Sequence, residues 1–499
     1  MSKPALPPTK ILAALLGIFI SAMMAGLNNR VGTLGLVDVP GALGFGVDGS
    51  SWITTSYLAG EILITPFATW FAITFSVRRF HTYMVLIIAS IALTLPFVND
   101  LSLVIALRFV QGVASGALVP LLMMMALKAL PLHIRLHGLA LYAMTATFSP
   151  NIAIWLTGQW TDEVNNWRLI YWQVIPLCFV AIALVRWGAP KEATKYGRFK
   201  EGNWLGMGLG VIGMALLTIA LTQGERLDWF NSTLITLALI NGGALLTLYL
   251  ITEWYHPTPF ISLRLLGRRN LGLGSLIFTL LLIVFMSATV LPMNFLTAVQ
   301  DYRVLQSSQL ALIIALPQLV LGSVVAILLY KKWVDARVVF AIGLLTIGIA
   351  CFIGAGITSS WNRDQFLVTQ ILQAIGQPMA VVSMLFLMTS VVQPHEGPYF
   401  SGIINTLRVL GTLLGGALVG HLLTQRGSLH TDTLIGHAST SSSYLPILNP
   451  AELSHIFAQQ SLTLSIADIY RLFGVLACLL IPIVLSMTHV PAPSSPVTN

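Results

Sequence analysis

Apolar runs of 18 residues or more recur along the whole chain, near 11–36, 51–75, 80–98, 101–127, 136–158, 167–187, 204–222, 232–253, 271–298, 308–330, 335–357, 366–392, 399–424 and 467–487. A hydrocarbon core of ~30 Å needs ~20 helical residues at ~1.5 Å each, so runs of this length suit bilayer crossings. A membrane β-barrel would need ~10-residue segments of alternating polarity instead. The charge content agrees: 9% of residues are Asp, Glu, Lys or Arg and 56% are hydrophobic, whereas roughly a quarter of an ordinary soluble domain is charged. Disorder, coiled coil, collagen and a disulfide scaffold are excluded by the same composition. The expected class is an all-α polytopic membrane protein with fourteen transmembrane helices. The first run continues past Gly26 without a cleavage-site pattern and reads as a retained span, not a signal peptide.

Cations in short loops set the orientation. With the N-terminus in the cytoplasm, Lys3, Lys10, Arg78, Arg79, Lys128, Arg135, Arg186, the stretch from Lys191 to Lys200, Arg264, Arg268, Arg269, Lys331, Lys332 and Arg337 lie inside. Arg226, Arg303, Arg363 and Arg426 fall in outside loops. Both termini are therefore expected in the cytoplasm. The net charge of +8 does not point to nucleic acid, because the basic residues sit in these loops and build no stripe or stacking platform.

Catalytic patterns are missing. Gly44–Gly49 and Gly208–Gly213 both fit G-x-G-x-x-G, but one lies in a loop and the other in a span, so neither opens a helix after a strand. Asn231-Ser-Thr is a formal glycosylation sequon and nothing more. Cys178, Cys351 and Cys478 lie in apolar runs and form no disulfide or metal pattern. The chain is not expected to be an enzyme, or to need a cofactor beyond the proton-motive force.

Several stretches resemble the fourteen-span drug:proton antiporters of the major facilitator superfamily. Arg108-Phe-Val-Gln111-Gly112, continuing to Gly116, is similar to the family's R-x-x-Q-G pattern. Trp167 to Pro176 resembles its sixth-span entry, and Gly224 to Phe230 its G-x-x-x-x-W-F loop. Gln370 to Gly376 and Gly402 to Gly411 resemble late-span patterns. The resemblance implies a six-helix bundle over 1–190, a cytoplasmic linker over 191–202 and an inserted helix pair over 203–253. After a loop at 254–270, a second bundle is implied over 271–487, with an outside loop at 425–464 and a cytoplasmic tail at 488–499. It further implies a bacterial inner membrane and alternating access to a midplane site.

The sequence departs from the family in three places. Leu27-Asn28-Asn29-Arg30-Val31 has Asn28 where the family carries an acid. The loop after span two keeps its basic end at Arg78 and Arg79 but loses two glycines and an acid. The fifth-span signature is reduced to Phe148-Ser149-Pro150-Asn151.

Charges inside spans are costly and mark candidate sites. Four are clearly placed so: Arg30, Glu61, Arg108 and Arg408. Glu61 is the one deep carboxylate among them, and a carboxyl group in hydrocarbon is cheaper protonated, as a proton carrier requires. It is the candidate proton site; the resemblance makes Arg108 the family's proton-linked arginine, while its position suits an anchor for backbone carbonyls equally. The competing reading is a fixed ion pair between Glu61 and Arg30, whose depths differ by about 6 Å. Arg30 with Asn28 and Asn29 suits a carboxylate or phenolate on a substrate; snorkelling of Arg30 to the interface is the alternative. Asn151 and Gln373, like Gln173, Asn294 and Gln318, either touch substrate or tie helices together. Arg78, Arg79, Pro150, Gly112, Gly116 and Arg408 read as packing or conformational residues.

The expectation is a secondary transporter exporting amphipathic aromatic compounds, anions included, in exchange for protons. Its partners would be small-molecule substrate, protons, lipid and a periplasmic adaptor docking on 425–464. An organic-anion importer or uniporter, or a non-transporting sensor or assembly subunit, are the alternatives.

Overall fold

This computed structural model describes residues 7–34, 41, 44–440 and 450–492, with side chains at all of them except 8, 30–34, 47, 132, 133, 438–440 and 450. The first half comprises α1 (Pro8–Leu34), α2 (Val47–Ile64), α3 (Ala68–Phe75), α4 (Val77–Thr94), α5 (Leu101–Gly116), α6 (Leu118–Ala129), α7 (Leu132–Thr147), α8 (Ser149–Gly158), α9 (Leu169–Trp172) and α10 (Val174–Gly188). An inserted pair follows, α11 (Trp204–Gln223) and α12 (Thr233–Tyr255). The second half holds α13 (Arg269–Val284), α14 (Met286–Ala298), α15 (Val304–Leu329), α16 (Ala336–Gly354), α17 (Leu367–Thr389), α18 (Gly397–Thr440) and α19 (Pro450–Leu485). Twelve helical segments are long and apolar enough to cross a membrane. With each of two bent pairs counted as one crossing, the described residues hold the fourteen expected from sequence.

Prolines sit at both bends. The α2–α3 pair turns by 61° and α7–α8 by 43°, with Pro66 in the first break and Pro150 in the first turn of α8. A proline ring withholds an N–H and crowds the carbonyl four residues back. Around Pro66 the backbone therefore tightens, with Thr65 N donating to Ile62 O and Phe67 N to Ile64 O. The linker after α10 is docked, not free: Lys195 N donates to Thr74 O, and Phe199 stacks on Trp204 at 5.7 Å beside Trp70.

Glycines set the closest helix crossing of the first half. A Cβ on Gly112 would overlap the Tyr57 carbonyl, one on Gly116 the Glu61 carbonyl, and one on Gly60 the Phe109 carbonyl. Bare backbones thus meet where α5 crosses α2, the arrangement that small residues permit in lipid. Gly343 of α16 and Gly376 of α17 meet in the same way. Gly411 and Gly415 of α18 pack on Leu282 and Met286, whereas Gly416 faces open space.

The inserted pair is fastened to α2. Gln223 Nε2 donates to Thr55 Oγ1 at 2.6 Å, Thr55 and Thr222 share a hydrogen bond of 3.0 Å, and Arg226 pairs with Asp48 at 2.7 Å. Against α18 the pair makes a different contact: the Glu225 carboxylate lies 3.6 Å from His421, and an apolar cavity lined by Met214, Leu217, Leu407 and Leu410 separates the helices.

Residues 425–440 and 450–464, read from their Ser, Thr and His content as loop, continue α18 and α19 as a helical hairpin. Contacts between the two helices outweigh weak propensity. Asp468 accepts from His430 at 2.9 Å, Thr431 donates to Ser461 Oγ at 3.0 Å, and Ser461 donates to Gly427 O at 2.6 Å. Opposite this hairpin, Arg268 grips Glu396 through two bonds of 2.6 and 2.7 Å, joining the segments that lead into α13 and α18.

Gly112→Ala should lower the melting temperature of the purified protein, since overpacking costs about 1–3 kcal/mol, while Gly416→Ala should leave it unchanged or raise it. Equal melting curves for the two variants in detergent would show that the crossing tolerates a side chain. A second expectation concerns pH. The Arg268 guanidinium beside Glu396 holds that carboxyl below the usual glutamate range. Its stabilisation is therefore full above the unfolded-state value and lost as pH falls through the lowered one. Thermal unfolding should show an acid-side loss that Glu396→Gln flattens.

Candidate functional site

A central cavity lies between the halves. From the first half its wall takes Gly26 and Asn29 of α1, Glu61 of α2, Thr145 and Ala146 of α7, and Pro150 and Asn151 of α8. The second half contributes Leu282, Phe285, Met286, Thr289, Gln377, Arg408 and Thr412. Counting its mouth and the solvent in it, the cavity has about 680 Å³ of empty volume. Both halves contribute charge and amides, Glu61, Asn29 and Asn151 from the first and Arg408 and Gln377 from the second, beside the apolar Leu282, Phe285 and Met286. That pairing suits a molecule with an apolar body and a polar end.

Glu61 is the acidic group of this wall and only 3% exposed. Asn29 Nδ2 donates to its Oε2 at 2.5 Å. Arg408, from the other half of the chain, places Nη2 3.4 Å from Oε1. A well-made guanidinium–carboxylate bond is shorter, about 2.7–2.9 Å, so this contact is loose, and Arg408 Nε is buried without a partner. The carboxylate is held in place from behind, because Gly112 and Gly116 bring α5 against the Tyr57 and Glu61 carbonyls.

Arg108 is fully buried beside this crossing. It donates to Gln111 Oε1 at 2.8 Å and to Asn28 O at 3.3 Å, and its guanidinium lies 4.4 Å from the Tyr57 ring centre. Among the described residues no carboxylate lies within ion-pair distance of it. Around it, Arg108 Nε, Gln111 Nε2, Ser115 Oγ and both side-chain polar atoms of Asn28 lack hydrogen-bond partners. Buried polar atoms left so cost free energy, and a polar cluster of this kind suits water.

The sequence-derived candidates divide. Glu61, Asn29, Asn151, Pro150 and Arg408 line the cavity. Asn28 is buried beside Arg108, and the Arg30 side chain lies outside the described residues. Asn151 donates to Thr147 O, leaving Oδ1 unpartnered. Gln373 bonds Ser287 Oγ at 3.0 Å and is not in the wall; Gln377, one turn on, is. Arg408, grouped by sequence with the packing glycines, turns its guanidinium to Glu61. Arg78 and Arg79 line a separate cavity near the linker. Thr145, Thr289 and Thr412 were not singled out, although Thr412 follows Arg408 by one helical turn and so shares its face.

The two halves touch on either side of the cavity. Towards the linker, Thr69 donates to Pro398 O at 3.0 Å, Ser401 to Pro120 O at 2.6 Å and Tyr142 to Asn405 Oδ1 at 3.0 Å. Towards the hairpin, Leu305 N donates to Asp162 Oδ2 at 2.9 Å.

Comparison with known proteins agrees with this architecture. The family model described as Major Facilitator Superfamily matches residues 14–266 and 273–436. The chain is 24% identical over 432 residues to the multidrug export protein EmrB of Haemophilus influenzae, covering 85% of this chain and 82% of that one. It is 22% identical over 452 residues to the fatty acid resistance protein FarB of Neisseria gonorrhoeae, covering 89% and 87%. The solved structure of the proton:xylose symporter XylE shares the fold, with a TM-score of 0.56 at 12% identity over 97% of each chain. The chain belongs to the Major Facilitator Superfamily and is a multi-pass membrane transporter, not an enzyme.

Proposed function

We propose that the protein exports amphipathic compounds in exchange for protons, by alternating access, with Glu61 as the proton site. The observation that carries this reading is the contact of Glu61 with Arg408 across the central cavity. A charge in a membrane interior needs compensation, and here each half supplies one of the two charges. Protonation of Glu61 cancels its pull on Arg408 and loosens one tie between the halves. Deprotonation restores it.

A proton, Arg408 and a hydrogen-bond donor on the substrate compete for the same carboxylate. A neutral or cationic substrate that donates to Glu61 excludes the proton, so the two cross in opposite directions. Phe285 and Met286 supply the apolar contact, and Arg108 with its water-suited surroundings is the route by which a proton reaches α2. The roles for which EmrB and FarB are named, multidrug export and fatty acid resistance, support amphipathic cargo.

The side bearing the linker is the cytoplasmic one on this reading, by its excess of Lys and Arg, and the membrane is a bacterial inner membrane. The hairpin then projects outside. With 44 residues in α18 and 36 in α19, against the ~20 that a bilayer needs, it offers an adaptor protein a helical surface. Shortening the hairpin between 430 and 460 should spare transport in reconstituted vesicles and lower efflux from cells; equal loss in both would assign it to folding.

The deciding measurement is substrate-driven proton movement in proteoliposomes. Glu61→Gln should reduce it at least about tenfold for neutral and cationic aromatic compounds while binding persists. Equal coupling in wild type and variant would place the proton site elsewhere. The energetics have their own check. Arg408→Gln alone should destabilise the protein by about 3–5 kcal/mol, and Glu61→Gln with Arg408→Gln should recover most of the loss. Additive losses in thermal unfolding would mean that the pair contributes nothing.

A further inference from the structure

A second cavity opens at the linker side, far from the central one. Its wall brings together Arg78 and Arg79 in the first turn of α4, Arg186 in the last turn of α10, and Lys191 just beyond it. Glu192 is the one carboxylate of this wall. Four cations and one anion leave a formal charge of +3 around about 960 Å³ of empty volume, mouth included. Among the described residues none of the four cations takes part in an ion pair. Arg79 donates to the Thr194 hydroxyl at 2.8 Å, which leaves its charge uncompensated. The start of α4 adds to the field. Ser76 there has φ 78° and makes no side-chain cap, so the first N–H groups of an 18-residue helix stay open beside the cavity.

Beyond Ser76 and Thr82 the remaining wall is apolar and faces outward. Tyr83 is 61% exposed and Leu86 43%, and they continue from the arginines along one face of α4. On the neighbouring α10, Trp187 is 59% exposed next to Arg186. In a membrane protein such faces meet acyl chains, and a tryptophan at a span end sits at headgroup depth. The cavity is thus basic where headgroups lie and continuous with an apolar surface where the chains begin. A soluble anion would use the first feature alone; a phospholipid uses both.

We infer that this cavity binds the phosphate of an anionic glycerophospholipid from the adjoining leaflet, with its acyl chains lying along α4 and α10. Arg78, Arg79, Arg186 and Lys191 supply the charge-assisted bonds. Like charges held together repel, so the lipid also relieves a strain between the start of α4 and the end of α10.

The test uses delipidated, full-length protein in an uncharged detergent. Lipid binding is read by native mass spectrometry and by the melting temperature. Phosphatidylglycerol should bind and raise the melting temperature, and phosphatidylcholine should do neither. Arg186→Gln with Lys191→Gln should weaken phosphatidylglycerol binding at least about tenfold without lowering the lipid-free melting temperature, because it removes repelling charges. Lys331→Gln with Lys332→Gln, which alters basic residues elsewhere on the same side, should bind as wild type does. Three results would each overturn the proposal: equal binding of the two lipids, unchanged affinity in the Arg186/Lys191 variant, or a stabilisation that inorganic phosphate or glycerol phosphate reproduces alone.

Discussion

The arrangement rests on a carboxylate and a guanidinium that sit inside hydrocarbon and come from opposite halves of the chain. Either charge alone would be expensive there, by several kcal/mol. Glu61 and Arg408 reduce that cost while the halves are together, and the 3.4 Å between them is longer than a well-made ion pair. A tight two-bond fork like that of Arg268 and Glu396 fits a permanent joint. The central pair fits a joint that opens. Asn29 keeps the carboxylate oriented with an uncharged donor, so orientation does not depend on Arg408.

Glu61 owes its position to residues with no side chain to speak of. Gly112 and Gly116 let α5 press on the backbone of α2. Pro66, one turn beyond Glu61, then bends the chain away into α3. Local rules of backbone geometry thus fix where the one acid of the cavity wall can stand.

Much of this was legible in the sequence. Run length and low charge give fourteen crossings, because hydrocarbon thickness and the rise of a helix leave little freedom. Glu61 stood out through the same cost, which makes an intramembrane acid rare. What the sequence could not reveal was the contact of Glu61 with Arg408. The two lie 347 residues apart, and a pairing across two bundles follows from how they dock. The neighbouring glycines drew Arg408 into a packing reading, though Gly416 packs on nothing. Gln377 was passed over for Gln373 because one turn of α17 separates a wall residue from a helix tie, and periodicity alone does not say which face meets a cavity. The hairpin escapes a sequence reading because its Ser, Thr and His residues have weak helix propensity and gain order from contacts 30 or more residues apart.

The attachment of the inserted pair carries a mechanical consequence. Direct hydrogen bonds link α11 to α2, whereas towards α18 the pair offers an apolar gap, a 3.6 Å contact of Glu225 with His421 and the edge of Trp229 against that histidine. When the halves rock, α11 and α12 must therefore travel with the first half and slide along the second. The flank between α2 and α18 stays screened through that stroke, while the opposite flank, where α7 and α8 meet α15, has no such cover. A fold built from two similar halves thereby acquires a front and a back: cargo dissolved in the bilayer meets a seam on one side and a wall on the other.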